Sequence, residues 1–442
     1  MTDQRTPRIS KGVKIPTGRI NRMARLGGLT TILAGNMAAR GSVELLRGRK
    51  PRVSDLLLTP TNLNRVAEQL AKMRGAAMKA GQLLSMETSD FLPPELADIL
   101  ARLRSEAHFM PPAQLKRVLI ANWGRDFLRY FNRFNVHPIA AASIGQVHRA
   151  QAKDGRELAI KVQYPGIRDS IDSDIRNLGL ILRGSGAVPK SFDMSRLLED
   201  AAKQLHEETD YLREGKALER FADHLANDRD FVVPKVYQDM GTKDILVMEF
   251  VEGVPIEQAE TMEQETRDRI GSKLVELTLR ELFELRDMQT DPNFANYRYI
   301  PETGQIILLD FGATREFAKP LVENFRALFG AAANGDDEQA FQNMIDVGLV
   351  GADTSESDKA LILQIFNLAA EPMRKGGVLD FGSSGLLGKL RREGMVLADE
   401  NVEVHAPPTD TLLMQRKVLG GYLLAERLRA RVDLDPLLER FL

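Results

Sequence analysis

Two acids and an amide punctuate one short part of this chain: Asp291 and Asn296 in MQTDPNFAN, then Asp310 in IILLDFG. Carboxylate and amide oxygens are hard donors, the kind that Mg²⁺ takes alongside water and phosphate oxygens. A cation completes such a site, and Lys161 in LAIKV, on a short apolar run, is the candidate. Together these are the groups that phosphoryl transfer needs. A lysine holds the α- and β-phosphates, an amide and an acid hold the metal, and a second acid faces the attacking hydroxyl or water.

Order and spacing sharpen this. Asp291 and Asn296 have the separation of the loop H-R-D-x-x-x-x-N of protein kinases, and Asp310-Phe311-Gly312 is the D-F-G that follows it. The His and Arg of that loop are replaced by Gln289 and Thr290. Lys161 matches the lysine of V-A-I-K. The upstream loop that should cover the phosphates is not glycine-rich: Ala140, Ala141, Ala142 and Ser143 occupy it, with Gly145 beyond. Alanine does not adopt positive φ cheaply, so phosphate contact there should differ from that of a glycine loop. ILVMEFVEG at 245–253 reads as a strand entering a hinge, with Met248 at the back of an adenine pocket and backbone near Glu249 and Val251 reading the base.

The elements that must position these groups are legible as patterns. Residues 136–163 alternate like strands around a turn at Asp154-Gly155, and 231–251 predict two more. Between them a long helix is expected over about 194–226. Leu198, Ala201, Leu205, Glu208, Leu212 and Gly215 share its apolar stripe, with Asp210 and Glu214 on the far, solvated side. Glu208 is then an acid on an apolar face, and Lys161 is its expected partner, because an unpaired buried charge is costly. From 256 onward the pattern is mostly helical apart from the runs near 297–310. A further helix covers 61–88, where Lys79 and Gln82 lie opposite the stripe of Leu63, Val66, Leu70, Met73, Ala77 and Leu84. The resulting fold class is α+β: a protein-kinase-like two-lobe fold with an N-terminal helical extension. The expected segments are an arm at 1–52, the extension at 53–125, a β-rich lobe at 126–252 and a helical lobe at 253–442.

Composition narrows the classes. The 442 residues include no cysteine, so disulfides and thiolate zinc sites are excluded, and the six histidines form no ligand spacing. Residues 1–52 carry twelve Lys or Arg against Asp3 and Glu44, a charge of +10; with −2 for the whole chain, the rest carries −12. A basic arm flanking the mildly apolar segment 26–39 fits an anionic lipid surface. Aromatic residues do not interleave with those cations, so no nucleic-acid partner is expected.

With these motifs in place the chain resembles the UbiB family of atypical kinases, also called aarF-domain-containing kinases, from about 60 to 435. KAGQ at 79–82, the alanine loop at 140–143, QYPG at 163–166 and ETD at 208–210 carry the resemblance. MQTDPNFAN and DFGATREF look like the subgroup that supports coenzyme Q biosynthesis, so the missing His-Arg is itself a match. The resemblance implies that the K-x-G-Q helix packs over the active site, with Lys79 and Gln82 in the cleft and an acid of the ETD helix facing Lys79. It also implies ATP or ADP and Mg²⁺ as cofactors. The leading reading is an ATP-dependent atypical kinase-like ATPase supporting ubiquinone biosynthesis at a membrane surface. A phosphotransferase acting on a small molecule or lipid, and a catalytically silent scaffold, are the alternatives. Quinone-biosynthesis proteins or lipid-like quinone precursors are expected partners. The expected location is cytoplasmic, peripheral to the inner membrane, or the matrix side in a eukaryote.

Overall fold

The computed structural model describes residues 109–142, 144–185, 194–399 and 407–442. The basic arm, Lys79, Gln82 and Ser143 lie outside them. The chain divides into two compact units, the first including described residues 109–216 and 235–250, the second 217–234 and 251–442.

The first unit opens with α1 (Pro112–Trp123), whose proline near the start suits a helix N-terminus. Strands β1 (Phe131–Phe134), β2 (Ala140–Ala141), β3 (Gly145–Ala152) and β4 (Glu157–Gln163) follow, then α2 (Ile167–Ser185), α3 (Met194–Glu208) and α4 (Tyr211–His224), whose residues from 217 on belong to the second unit. Next come β5 (Phe231–Val232), which belongs to the second unit, and β6 (Ile245–Glu249), which returns to the first. The sheet is antiparallel in the order β1-β3-β4-β6, with β2 also paired to β3. The Asp154-Gly155 turn expected from sequence joins β3 to β4, and Gly155 takes a φ of 91°, which glycine accommodates without strain. Leu158, Ile160 and Val162 of β4 share a buried core with Leu115 and Leu119 of α1, Ile171 and Leu178 of α2, and Leu205 of α3. Each fully buried aliphatic side chain there contributes ~1.5–3 kcal/mol.

The long helix expected over 194–226 is two helices. Thr209 and Asp210 break it, and Asp210 Oδ1 accepts from the N–H groups of Leu212 and Arg213 at 3.1 and 3.3 Å, capping α4. The break shifts the helical phase. Tyr211, Glu214, Gly215, Leu218 and Phe221 now face inward, whereas Leu212, expected in the stripe, is exposed.

The second unit contains β7 (Val254–Pro255), α5 (Gln264–Arg280), β8 (Asp287–Gln289), β9 (Tyr297–Ile300), β10 (Gln305–Leu308), β11 (Thr314–Glu316), α6 (Lys319–Asn334), α7 (Asp337–Asp346), α8 (Glu356–Lys375), β12 (Val378–Asp380), α9 (Leu386–Asp399), α10 (Thr409–Arg427), β13 (Arg431–Asp433) and α11 (Asp435–Phe441). It is mainly helical but holds more strand than expected. β5-β10-β9-β7 form one sheet, and β8-β11 and β12-β13 form two-stranded pairs. Residue 231, expected to open a strand of the first lobe, instead pairs parallel with Ile306. Between α5 and β8 the chain makes a π-helical turn over Glu281–Leu285 and reverses at Arg286, which is left-handed at φ 55°.

Candidate functional site

Lys161 lies on β4, a central strand paired with Val147 on one side and Leu246 on the other. Its ammonium is almost fully buried and bonds Glu214 Oε1 at 2.6 Å, and it stands 5.3 Å from the centre of the Tyr211 ring. Glu214 is itself 1% exposed. The expected pairing with Glu208 is therefore incorrect. Glu208 is buried at the end of α3 and receives the Gln204 side-chain amide at 3.3 Å. The helix break accounts for the difference, since restarting at Tyr211 turns Glu214 toward the sheet and moves it out of the solvated set where sequence placed it. Sequence reading also missed Tyr211. The capping residue Asp210 was the available signal for both.

Gly145 explains how the alanine loop closes. A Cβ at that position would lie 2.6 Å from both the Tyr211 hydroxyl and the Val162 carbonyl, so β3 can approach α4 and β4 this closely only through glycine. Ala140 and Ala141 pair with Val147 and Gln146, and the Ala142 N–H donates to Gly145 O at 2.9 Å. The loop is thus a tight hairpin. At the expected hinge, Met248 is buried, and the N–H groups of Glu249 and Phe250 donate to Lys235 O and Glu157 O. Val251 follows in the second unit.

In the second unit a hairpin gathers the other residues. The register of β9 on β10 places Tyr297 opposite Leu308, so Asn296 just before the hairpin and Asp310 just after it share one end. The Leu309 N–H to Asn296 O bond of 3.0 Å closes that end. The Asn296 amide nitrogen donates to Asp291 O at 2.8 Å, which commits its nitrogen inward and leaves its side-chain oxygen as the ligand-type atom. Asp310 Oδ1 accepts from the Gly312 N–H at 3.0 Å, and Phe311 is buried with its ring 4.8 Å from Phe221 of α4. Asp291 and Asp310 are half-buried. One oxygen from Asn296 and one or more from Asp310 suit Mg²⁺, which usually keeps several waters and phosphate oxygens. Among the described residues there is no cluster of three or more His, Cys, Asp or Glu side chains able to hold a metal, and such a Mg²⁺ site needs none.

The two residues replacing His-Arg are both engaged. Gln289 Oε1 accepts from the Asp291 N–H at 3.1 Å, and the Thr290 hydroxyl donates to Ala313 O at 2.7 Å. Pairing of β8 with β11 sets this geometry, Gln289 lying opposite Thr314. Sequence pattern could not reveal the second bond, because it joins residues on opposite sides of the DFG turn.

Residues 102–344 match the family model described as the ABC1 atypical kinase-like domain. The chain is 36% identical over 427 residues to the mitochondrial atypical kinase COQ8 of Saccharomyces cerevisiae, covering 96% of this chain and 84% of that protein. It is 35% identical over 426 residues to the mitochondrial atypical kinase COQ8B of Rattus norvegicus, covering 96% and 80%. Among solved structures, the Rv3197–erythromycin complex from Mycobacterium tuberculosis superposes with a TM-score of 0.61 at 25% identity, covering 86% of this chain and 95% of that one. No helix among the described residues is long and apolar enough to cross a membrane.

Proposed function

The chain belongs to the ABC1 atypical kinase-like family, the UbiB type that supports ubiquinone biosynthesis, and from that premise we propose that it turns over ATP with Mg²⁺ at a membrane surface. The family membership gives the class, an atypical kinase-type phosphotransferase or ATPase. The observation that carries the finer reading is the closed hairpin with Asn296 and Asp310 flanking one end, Asn296 being tied to Asp291 O.

Lys161, oriented and charge-balanced by Glu214, neutralises the α- and β-phosphates. Asn296 and Asp310 would hold Mg²⁺, which when bound would neutralise charge on the phosphate oxygens. Asp291 receives the proton of the attacking hydroxyl or water as the bond to the terminal phosphorus forms and the bond to the leaving ADP oxygen breaks. Ala140, Ala141 and Ala142 line the loop over the nucleotide, and Met248, Glu249 and Val251 lie where the base is read. Glu208, Lys79 and Gln82 complete the proposed set; the last two, on the K-x-G-Q segment, restrict access for protein substrates. Quinone precursors and quinone-biosynthesis proteins are the proposed partners, at the inner-membrane surface.

The test is Mg²⁺-dependent ATP turnover by the purified chain and by Asp310→Asn. Losing the anchoring carboxylate should lower turnover ~10²-fold or more. Near-normal turnover of the variant at saturating Mg²⁺ removes Asp310 from the metal site. No turnover by the unmodified chain, with or without quinone precursors, overturns the ATP reading.

A further inference from the structure

We propose that Arg416 and Lys417, adjacent on α10, are the positioning residues that hold the Asp291 loop, standing in from a distant helix for the His-Arg that the loop lacks. The inference rests on the reading of Asp291 as the carboxylate that receives the proton of the attacking group.

Both cations are buried, Arg416 at 8% and Lys417 at 1% exposure, although α10 begins well over a hundred residues beyond the loop. Arg416 Nε and Nη2 both donate to the Thr290 carbonyl oxygen, at 2.9 and 2.7 Å, and Nη2 lies 3.4 Å from the Thr290 hydroxyl. A carbonyl receiving two charge-assisted bonds from one rigid guanidinium has little freedom to rotate. That carbonyl belongs to the peptide unit joining Thr290 to Asp291, so its orientation sets the backbone from which the Asp291 side chain projects.

Lys417 secures the strand leading in. Its ammonium is 2.7 Å from Glu281 Oε2, and the same oxygen accepts the Gln289 N–H at 3.2 Å. Glu281 sits on the π-helical turn, and its burial is tolerable because Lys417 neutralises it.

A third contact comes from the same helix. A Cβ at Gly420 would fall 2.0 Å from Pro292 Cγ and 2.3 Å from its Cβ, so α10 touches the residue after Asp291 through a glycine that nothing larger could replace. Glycine inside a helix is disfavoured relative to alanine, and close approach to Pro292 is its physical reason here. Arg416 and Gly420 thus meet residues 290 and 292, on both sides of Asp291, and Lys417 reaches residue 289 through Glu281.

The experiment compares the full chain with Arg416→Ala, Arg416→Lys, Gly420→Ala and, as an exposed control on the same helix, Leu423→Ala. Readouts are kcat and KM for ATP, Mg-ADP binding, and hydrogen exchange of the peptide 287–296. Arg416→Ala and Gly420→Ala should lower kcat ~10- to 100-fold, the scale of a small misplacement of a reacting group, with KM and Mg-ADP binding within ~3-fold. Exchange should rise in 287–296 and not in β3 or β4, Arg416→Lys should retain intermediate activity, and added guanidinium should restore part of the activity of Arg416→Ala. Unchanged kcat, or loss of nucleotide binding and of protection throughout the molecule in proportion to kcat, overturns the proposal. If the unmodified chain shows no ATP turnover, the catalytic reading has failed on its own. Exchange in 287–296 then decides the positioning, because a loop indifferent to Arg416→Ala is not held by it.

Discussion

Lys161 and Glu214 are each nearly sealed from water and bonded to one another, so each stabilises the other's charge in the core. Breaking a buried pair by removing one partner costs ~3–5 kcal/mol, because the remaining charge is left without compensation. Glu214→Gln should therefore lower both the denaturation midpoint and ATP turnover, whereas Glu208→Gln should leave the Lys161 geometry intact and reduce turnover far less. Urea unfolding and steady-state turnover of the two variants check this; equal losses would mean that Lys161 does not depend on Glu214 in particular. Sequence placed the lysine correctly because V-A-I-K is a local pattern on one strand. The acid was misplaced because the partner depends on where a helix restarts, and a stripe drawn through Thr209 and Asp210 carries the wrong phase past the break. Arg416 and Lys417 were not legible at all. Adjacent cations on an amphipathic helix normally read as solvated, and only the fold brings them to residues 281–290.

At the scale of elements, the β3-β4 hairpin follows from alternation around Asp154-Gly155, which sequence displays directly. The short pairings β5-β10 and β8-β11 do not, since two or three residues carry no periodicity and their partners are distant. One inter-element link has a pH consequence. His148 of β3 is buried, its Nδ1 lies 2.8 Å from Asn135 O, and its Nε2 lies 2.8 Å from the Gln146 side-chain amide nitrogen. Gln146 Oε1 in turn accepts the Met110 N–H at 2.7 Å, joining the segment before α1 to the sheet. A carbonyl facing Nδ1 requires the proton there, and an amide nitrogen facing Nε2 requires that atom to accept. Protonating Nε2 would set two donors against each other, and flipping Gln146 would forfeit Met110. Burial holds the His148 pKa down to about 4 from 6.5, against the raising effect of the Asn135 carbonyl. Below 6.5 the unfolded chain binds the proton and the native state does not, so stability is complete above that pH and falls as pH drops toward 4. The loss is on the order of 3 kcal/mol by pH 4. Urea midpoints at pH 7.5 and 5 should fall more steeply for the unmodified chain than for His148→Gln. Parallel slopes would remove His148 as the source.

For the whole molecule, the uneven charge is the property no single element displays. Ten net positive charges in residues 1–52 accompany twelve net negative charges in the remainder. Such a distribution would turn the chain toward an anionic surface, arm first, while the rest of the molecule would be repelled by it. Each basic residue near such a surface is worth ~1 kcal/mol, so even three in contact would raise affinity more than a hundredfold. The uncharged segment 26–39, with Arg22, Arg25 and Arg40 around it, would add apolar contact without the ~20 residues needed to span. We therefore expect the full chain to sediment with vesicles containing anionic lipid, to release as salt rises, and to bind neutral vesicles weakly. Deleting residues 1–52 should abolish the binding, and reversing Arg22 and Arg25 to Glu should weaken it while leaving ATP turnover in solution unchanged. Equal sedimentation of the full and arm-deleted chains would assign attachment to another surface. Binding indifferent to both salt and lipid charge would reject the electrostatic account, since opposite charges in water are screened beyond ~8 Å at physiological ionic strength.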